Sequence, residues 1–229
     1  MALNAATLKT RSLTAVVFVA VMLVGLLWNF WSFLILFTVI HFGCWYELVK
    51  LMKKIYGSKY LPYCLIGLVY ITMPVLMIID LAHEWHIYTV NNTNEIFFTK
   101  IIPCTIIFSI WINDTMAYIV GSLIGKTPFS KISPKKTWEG TIGGALLCIV
   151  VISSIAYFSK LLTVKDAAII AALCAVFGTI GDLFESKLKR MANVKDSGSF
   201  MPGHGGFLDR FDSLLFAVPA VWVYVKLFL

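Results

Sequence analysis

Seven apolar runs, each about as long as a membrane-crossing helix, constrain this chain more than any other feature of its sequence. A helix that crosses the roughly 30 Å hydrocarbon core of a bilayer needs about 20 predominantly apolar residues. The runs are Leu13–Trp28, Phe30–Val49, Leu61–Asp80, Lys100–Ser122, Gly140–Ser159, Lys165–Phe184 and Phe211–Phe228. The sequence therefore predicts an all-α fold, a polytopic transmembrane helix bundle with about seven spans.

The composition excludes the main alternatives. Charged residues make up 14% of the 229 residues and hydrophobic residues 59%, against roughly 25% charged in an average globular domain. So few charges cannot cover a soluble surface, which Lys, Glu, Arg and Asp largely supply. A membrane barrel would show alternating segments of roughly ten residues instead of unbroken apolar runs. The five cysteines all lie in apolar runs without metal-ligand spacing, which indicates small buried side chains.

Basic residues indicate the orientation of the spans. If the connections alternate between two sides, one side receives all but four of the 19 lysines and arginines, the four being Lys100, Lys160, Lys165 and Lys226. The positive-inside rule then predicts a cytoplasmic N-terminus and an extracytoplasmic C-terminus. The net charge of +7 follows from these connections, so we expect no nucleic-acid partner.

Acidic side chains are few and concentrated at the inner ends of the later spans. Six of the 12 lie there: Asp114, Asp182, Glu185, Asp196, Asp209 and Asp212. Ionisable groups at membrane depth are costly and indicate function by default. On a helix, positions 182, 185, 186 and 189 share one face, which predicts a stripe of two carboxylates, a hydroxyl and an ammonium. We interpret Glu47 and Asp80, at the ends of earlier spans, as interfacial.

Two segments between spans combine hydroxyls, glycines and cations. Residues 195–212 are glycine-rich and place Asp209 and Asp212 three positions apart. Carboxylates grouped with Lys and Arg suit Mg²⁺ together with phosphates. Residues 126–140 bring three lysines to a helix start at about Gly140, where free N–H groups attract phosphate. Gly140 and Gly144 have the small-residue spacing of a helix-packing contact.

The C-terminal half resembles the phosphatidate cytidylyltransferases, also called CDP-diacylglycerol synthases. Ser186–Asp212, which we call the signature segment, reads S-x-L-K-R-x₄-K-D-x-G-x₂-M-P-x-H-G-G-F-x-D-R-F-D. Met201 stands where the family usually has Ile or Leu. Residues 113–118 (N-D-T-x-A-Y), 133–140 (S-P-K-K-T-W-E-G) and 181–186 (G-D-L-x-E-S) are similar to the family's other motifs.

The resemblance implies a CTP-dependent nucleotidyltransferase of phospholipid biosynthesis, which condenses CTP with phosphatidate to give CDP-diacylglycerol and pyrophosphate. By the same analogy, Asp182 and Asp209 are expected to bind Mg²⁺, with room for a second monovalent or divalent cation. The residues expected to act in catalysis are Asp114, Asp182, Glu185, Lys189, Arg190, His204, Asp209 and Asp212. Those expected to bind the substrates are Ser133, Lys135, Lys136, Thr137, Ser186, Lys195 and Arg210.

The resemblance also suggests how the chain is divided and where it works. Residues 1–100 carry no motif that we can match, and residues 101–229 would form the catalytic region. We expect a bacterial inner membrane protein whose site faces the cytoplasm and, by family analogy, a homodimer surrounded by membrane lipid.

Other functions fit the residues less well. A transporter often shows repeated halves with paired broken helices, which this chain lacks. The D-G-x₂-A-R motif of the CDP-alcohol phosphotransferases is absent. A non-catalytic scaffold would not need this set of carboxylates. A cytidylyltransferase acting on another lipid phosphate, such as an archaeal ether lipid, would use the same site and stays an alternative.

Overall fold

The helical prediction is confirmed. The structure, a computed structural model, describes residues 5–84, 97–130, 132–200 and 205–229, with the side chains of residues 5–11, 84, 97 and 98 left out. The long helices are α1 (Ala5–Leu27), α2 (Phe30–Tyr56), α3 (Met73–Leu81), α4 (Ile101–Ile124), α5 (Trp138–Ser159), α6 (Val164–Met191) and α7 (Leu208–Phe228). Within the described ranges, β1 (His83–Glu84) and β2 (Phe97–Phe98) form an antiparallel pair of two-residue strands.

The observed helices cover all seven predicted runs. Within the described residues, six helical segments are long and apolar enough to cross a membrane, and Ser12–Leu27 forms a shorter apolar helix. The protein is an integral membrane protein. At 1.5 Å per residue, the 28 residues of α6 extend about 42 Å, which exceeds the hydrocarbon core. The polar C-terminal turns of α6 can therefore lie beyond the apolar layer.

The chain forms two compact units, one of Met1–Thr72 with Asp182–Asp212 and the other of Met73–Gly181 with Ser213–Leu229. Each has its own internal packing. In the first unit, Phe33, Phe37 and Ile40 of α2 are fully or almost fully buried. In the second, Cys148 and Ile152 of α5 belong to a buried apolar cluster with small residues of α6. The predicted division at residue 100 concerned catalytic role and stays a prediction.

A capping box separates the first two helices of the first unit. Asn29 precedes α2 in an extended conformation, and its side chain accepts a hydrogen bond from Ser32 N at 2.8 Å. The Ser32 hydroxyl accepts in return from Asn29 N at 3.1 Å. These bonds satisfy amides that a new helix leaves without partners. After this turn, Gly25 of α1 lies against Leu36 of α2, where an added Cβ would come within 2.6 Å of Leu36 Cδ2. The two helices therefore form a tight hairpin.

The third span is irregular. It begins as a 3₁₀ turn at Leu61–Leu65, passes through a π turn at Leu68–Thr72 and continues as α3. Pro74 follows the π turn at the second position of α3. Proline has no N–H to donate to the preceding turn, so an unbroken α-helical ladder cannot run through it.

In the second unit, polar contacts join the C-terminal end of α7 to the C-terminal end of α3 and to the N-terminal end of α6. Asp80 of α3 accepts a hydrogen bond from Trp222 Nε1 at 2.7 Å and lies 2.8 Å from the Lys226 ammonium, both on α7. Asp166 of α6 accepts from Tyr224 Oη at 2.6 Å. The Asp80 side chain is 34% exposed, as expected for an interfacial residue.

Small residues bring α4 and α5 close together in the second unit. A Cβ at Gly144 would lie 2.7 Å from both the Cβ and the N atom of Ala117. A Cβ at Gly140 would lie 2.8 Å from the Ala117 carbonyl and 2.9 Å from Gly121 Cα. The Gly140–Gly144 pair therefore makes the predicted helix-packing contact, since neither position has room for a side chain.

We expect Gly144→Val to destabilise the α4–α5 pair, because the new side chain must push the backbone of Ala117 away. Overpacking of this kind costs about 1–3 kcal/mol. The measurement is the thermal unfolding midpoint in detergent. The matched control is Leu146→Val, which introduces the same residue two positions along at a side chain that is 60% exposed. Equal midpoints for the two variants would contradict the close packing.

Candidate active site

The polar stripe predicted on α6 is present in the first unit. The Ser186 hydroxyl donates to Asp182 Oδ1 at 3.2 Å, and Lys189 Nζ lies 2.5 Å from Glu185 Oε2. Both contacts join positions four residues apart, which face the same side of a helix. The Glu185 side chain is fully buried. The stripe is therefore an ordered set of contacts near the C-terminal end of α6.

Lys189 connects this stripe to the start of α7. Its ammonium lies 2.6 Å from Asp209 Oδ1 and so contacts two carboxylates at once. The Lys189 side chain is 15% exposed and that of Asp209 is 8% exposed. A shielded charge needs a partner because desolvation is expensive. Lys189 is thus the cation that compensates Glu185 and Asp209.

The other oxygen of Asp209 holds the glycine-rich loop. Asp209 Oδ2 accepts hydrogen bonds from Ser197 N at 2.9 Å, Ser197 Oγ at 2.9 Å and Gly206 N at 2.8 Å. Gly205 has φ of 85°, in the left-handed region that favours glycine, and a Cβ there would lie 2.6 Å from Asp209 Oδ2. Asp209 therefore fixes both described flanks of the loop, residues 195–200 and 205–207.

Glu47 of α2 belongs to the same network, and its interpretation as an interfacial residue is wrong. Its side chain is 3% exposed. Its carboxylate accepts hydrogen bonds from Ser197 Oγ at 2.6 Å, Phe207 N at 2.9 Å and Leu208 N at 2.9 Å. It thereby satisfies amides at the N-terminus of α7, an end that attracts negative charge. One feature of the sequence could have revealed the role of Glu47: it is the only acidic residue among the first 79 residues.

The described residues do not form a ready site for a divalent cation. They contain no group of three or more His, Cys, Asp or Glu side chains placed to hold a metal ion. Asp209 accepts hydrogen bonds on both of its oxygens, one of them from an ammonium. In this arrangement Asp209 does not fit a direct metal ligand. The assignment of Mg²⁺ to Asp182 and Asp209 therefore stays a prediction.

In the second unit, residues 126–130 and 132–137 belong to a closed loop between α4 and α5. Two backbone hydrogen bonds close the loop, from Phe129 N to Lys136 O at 2.8 Å and from Trp138 N to Thr127 O at 3.0 Å. Thr137 caps α5 by accepting a hydrogen bond from Gly140 N at 3.1 Å. The helix begins at Trp138, close to the predicted start at Gly140. The loop thus presents its hydroxyls and lysines beside the start of a helix.

Glu139, which the sequence analysis did not single out, keeps this loop closed. Its carboxylate accepts hydrogen bonds from Lys126 N at 3.2 Å, from Thr127 N at 3.2 Å and from the Thr127 hydroxyl at 2.8 Å. It is the acidic residue in the first turn of α5, where negative charge is favourable. A carboxylate on the following helix therefore holds the polar loop, as Asp209 does in the first unit.

The remaining predicted residues differ in exposure. Asp212 is 8% exposed, one turn beyond Asp209 on α7. Ser133, Lys136 and Thr137 are half-buried in the second unit. The exposed side chains are Asp114, Lys135, Arg190, Lys195 and Arg210. His204 lies outside the described residues.

Comparison with known proteins identifies the family. The profile of the cytidylyltransferase family matches residues 67–228, which is most of the chain. The chain belongs to the cytidylyltransferase family. A phosphatidate cytidylyltransferase of Rickettsia felis is 35% identical over 226 residues, covering 93% of this chain and 89% of that protein. The family resemblance of the signature segment is thereby confirmed.

Two further relatives of the family match about half of the chain. A phosphatidate cytidylyltransferase of Bacillus subtilis is 44% identical over 121 residues, covering 52% of this chain and 45% of that protein. The chloroplastic phosphatidate cytidylyltransferase 4 of Arabidopsis thaliana is 43% identical over 114 residues, covering 49% of this chain and 29% of that protein. The chain thus spans less than half the length of these two relatives.

We expect Lys189→Met to destabilise the first unit strongly, because it leaves Glu185 and Asp209 shielded without their cation. Removing one partner of a buried ion pair costs about 3–5 kcal/mol. The measurement is the free energy of unfolding in detergent. Lys187→Met, which removes an exposed lysine from the same helix, is the control. The double variant Lys189→Met/Glu185→Gln should regain part of the loss, and a double variant no better than the single one would contradict the assignment.

Proposed function

We propose that the protein is a phosphatidate cytidylyltransferase, which condenses CTP with phosphatidate to give CDP-diacylglycerol and pyrophosphate. The observation that carries the proposal is the relative of that name from Rickettsia felis, which aligns over 93% of this chain. The chain also carries the family's signature segment with its acidic and basic residues grouped around α6 and α7. As an integral membrane protein, the chain also has direct access to a lipid substrate.

The chemistry suits this set of residues. A phosphate oxygen of phosphatidate is already ionised at neutral pH, so the attack needs no strong general base. That oxygen bonds to the α-phosphorus of CTP, and the bond from the same phosphorus to the oxygen that joins it to the β-phosphorus breaks. Pyrophosphate leaves with that oxygen, and no proton has to move. Catalysis is then mainly positioning and charge stabilisation. Arg190, Lys195 and Arg210 are exposed cations of the first unit, and Lys135 is an exposed cation of the second. Their charge favours phosphate groups.

Magnesium and any second cation remain proposals of the same kind. Mg²⁺ usually keeps several waters and takes one or two carboxylates together with substrate phosphates. The nucleotide would then supply ligands that the protein alone does not assemble among its described residues. Asp182 is the better candidate of the two predicted carboxylates, because Asp209 is engaged by Lys189, Ser197 and Gly206.

The decisive assay is CTP-dependent conversion of phosphatidate to CDP-diacylglycerol by the purified protein. We expect turnover that is lost on chelation and restored by Mg²⁺. Asp182→Asn and Asp209→Asn should each lower kcat by orders of magnitude while the protein stays folded. If the protein converts another lipid phosphate and not phosphatidate, the proposed site stands and the proposed substrate is wrong. No consumption of CTP with any lipid phosphate would refute the proposal.

We also propose that the site faces the cytoplasm of a bacterial inner membrane, where CTP is available. The excess of Lys and Arg on one set of connections supports this orientation. The homodimer expected from the family resemblance stays a prediction.

The orientation is testable with single cysteines at two exposed positions, Ser58→Cys after α2 and Ser159→Cys at the end of α5. A membrane-impermeant maleimide should label position 58 in inverted vesicles and position 159 in right-side-out vesicles. The unsubstituted protein, with its five native cysteines, provides the background. The opposite pattern would reverse the assigned topology.

A further inference from the structure

Glu47 lies outside residues 67–228, the part of the chain that the family profile matches, yet it contacts the signature segment directly. Three donors converge on its carboxylate: the Ser197 hydroxyl, Phe207 N and Leu208 N. All three belong to the glycine-rich loop or to the first residue of α7. The loop that carries the signature is therefore attached to α2 by one buried side chain.

The glycines of the signature leave space for this carboxylate. A Cβ at Gly206 would collide with both oxygens of Glu47, and a Cβ at Gly198 would collide with Oε1. One turn earlier on α2, Gly43 receives the ring of Phe207, which an added Cβ would approach to 2.5 Å. Gly43 and Glu47 lie four residues apart and so share one face of α2. The loop and this face of α2 are complementary in shape as well as in hydrogen bonding.

Ser197 links Glu47 to Asp209. Its hydroxyl oxygen lies 2.6 Å from Glu47 Oε2 and 2.9 Å from Asp209 Oδ2. A hydroxyl has a single proton and donates to one of these carboxylates at a time. Asp209 in turn contacts Lys189 at 2.6 Å. A connected path of contacts thus runs from Glu47 through Ser197 to the charged residues of the signature.

We propose that Glu47 is a positioning residue, which holds the described flanks of the glycine-rich loop so that Asp209 and Arg210 keep their places at the start of α7. Its effect on catalysis rests on the proposed function. The three donors lie on both sides of the signature glycines, Ser197 before Gly198 and the amides of residues 207 and 208 after Gly206. A carboxylate that only stabilised the fold would not need to hold both sides of the loop. Small displacements of reacting groups lower rates strongly, so loss of this contact should appear in kcat.

The test compares Glu47→Gln with Asp166→Asn. In Glu47→Gln the new NH₂ group must face at least one of the three donors, so that hydrogen bond is lost. Asp166 makes polar contacts with Thr163 and Tyr224, neither of which belongs to the signature segment. We expect Glu47→Gln to lower kcat by about 10- to 100-fold with less than about a threefold change in KM for CTP. Asp166→Asn should keep kcat even where its thermal stability falls as much.

The second readout does not depend on activity. Hydrogen exchange of the Ser197, Gly206, Phe207 and Leu208 amides should quicken in Glu47→Gln and stay at the wild-type rate in Asp166→Asn. Wild-type kcat in Glu47→Gln, or an equal loss of kcat in the two variants, would overturn the proposal. If the wild-type protein does not convert phosphatidate, the proposed function fails, and unchanged exchange at these amides would separately refute the role of Glu47.

If Glu47→Gln does not fold, Ser197→Ala serves as the test, because it removes the contact between the two carboxylates and keeps both. It should lower kcat and quicken exchange at Gly206 and Phe207. Wild-type values for both would overturn the proposal. If both single variants and the double variant fold, the effects of Ser197→Ala and Glu47→Gln on kcat should be less than additive, because both changes remove the same contact.

Discussion

The first unit depends on two carboxylates that the protein shields from water and surrounds with donors. Three donors lie within hydrogen-bonding distance of Glu47 and four of Asp209, and the Ser197 hydroxyl is shared between the two carboxylates. Most of these donors are backbone amides or the Ser197 hydroxyl of the glycine-rich loop. A loop rich in glycine has many accessible conformations, which makes ordering it costly. Charge-assisted hydrogen bonds to a fixed carboxylate are strong enough to select one of them. The order of the signature therefore follows from these two side chains.

The second unit uses the same device on a smaller scale. Glu139 accepts from the amides of Lys126 and Thr127, and Thr137 caps the helix on which Glu139 lies. In both units a carboxylate in the first turn of a helix holds the loop that precedes the helix. The N-terminal end of a helix stabilises such a carboxylate, and the loop amides satisfy it. Hydrophilic loops at the ends of apolar spans are thereby ordered by the helix that follows each loop.

Local patterns in the sequence predicted the helices and the stripe on α6, whereas the contacts of Glu47 could not be predicted. The spans follow from length and hydropathy, and the contacts of Asp182 with Ser186 and of Glu185 with Lys189 follow from helical spacing. Glu47 meets Leu208 across 161 positions of sequence, which no periodicity encodes. The same reason applies to Asp209: the family resemblance implies a metal ligand there, whereas the donors that contact Asp209 belong to a folded loop and to Lys189.

The distribution of charge in the first unit connects this network to the proposed reaction. The shielded side chains include four carboxylates, Glu47, Glu185, Asp209 and Asp212, and the ammonium of Lys189. The exposed layer contains Arg190, Lys195 and Arg210, which come from the same signature segment. Exposed cations attract a polyphosphate before any bond changes, and anchored backbone limits how far their side chains can move. Asp209, which holds the loop, can thus serve phosphoryl chemistry indirectly, because it fixes the backbone position from which the Arg210 side chain extends.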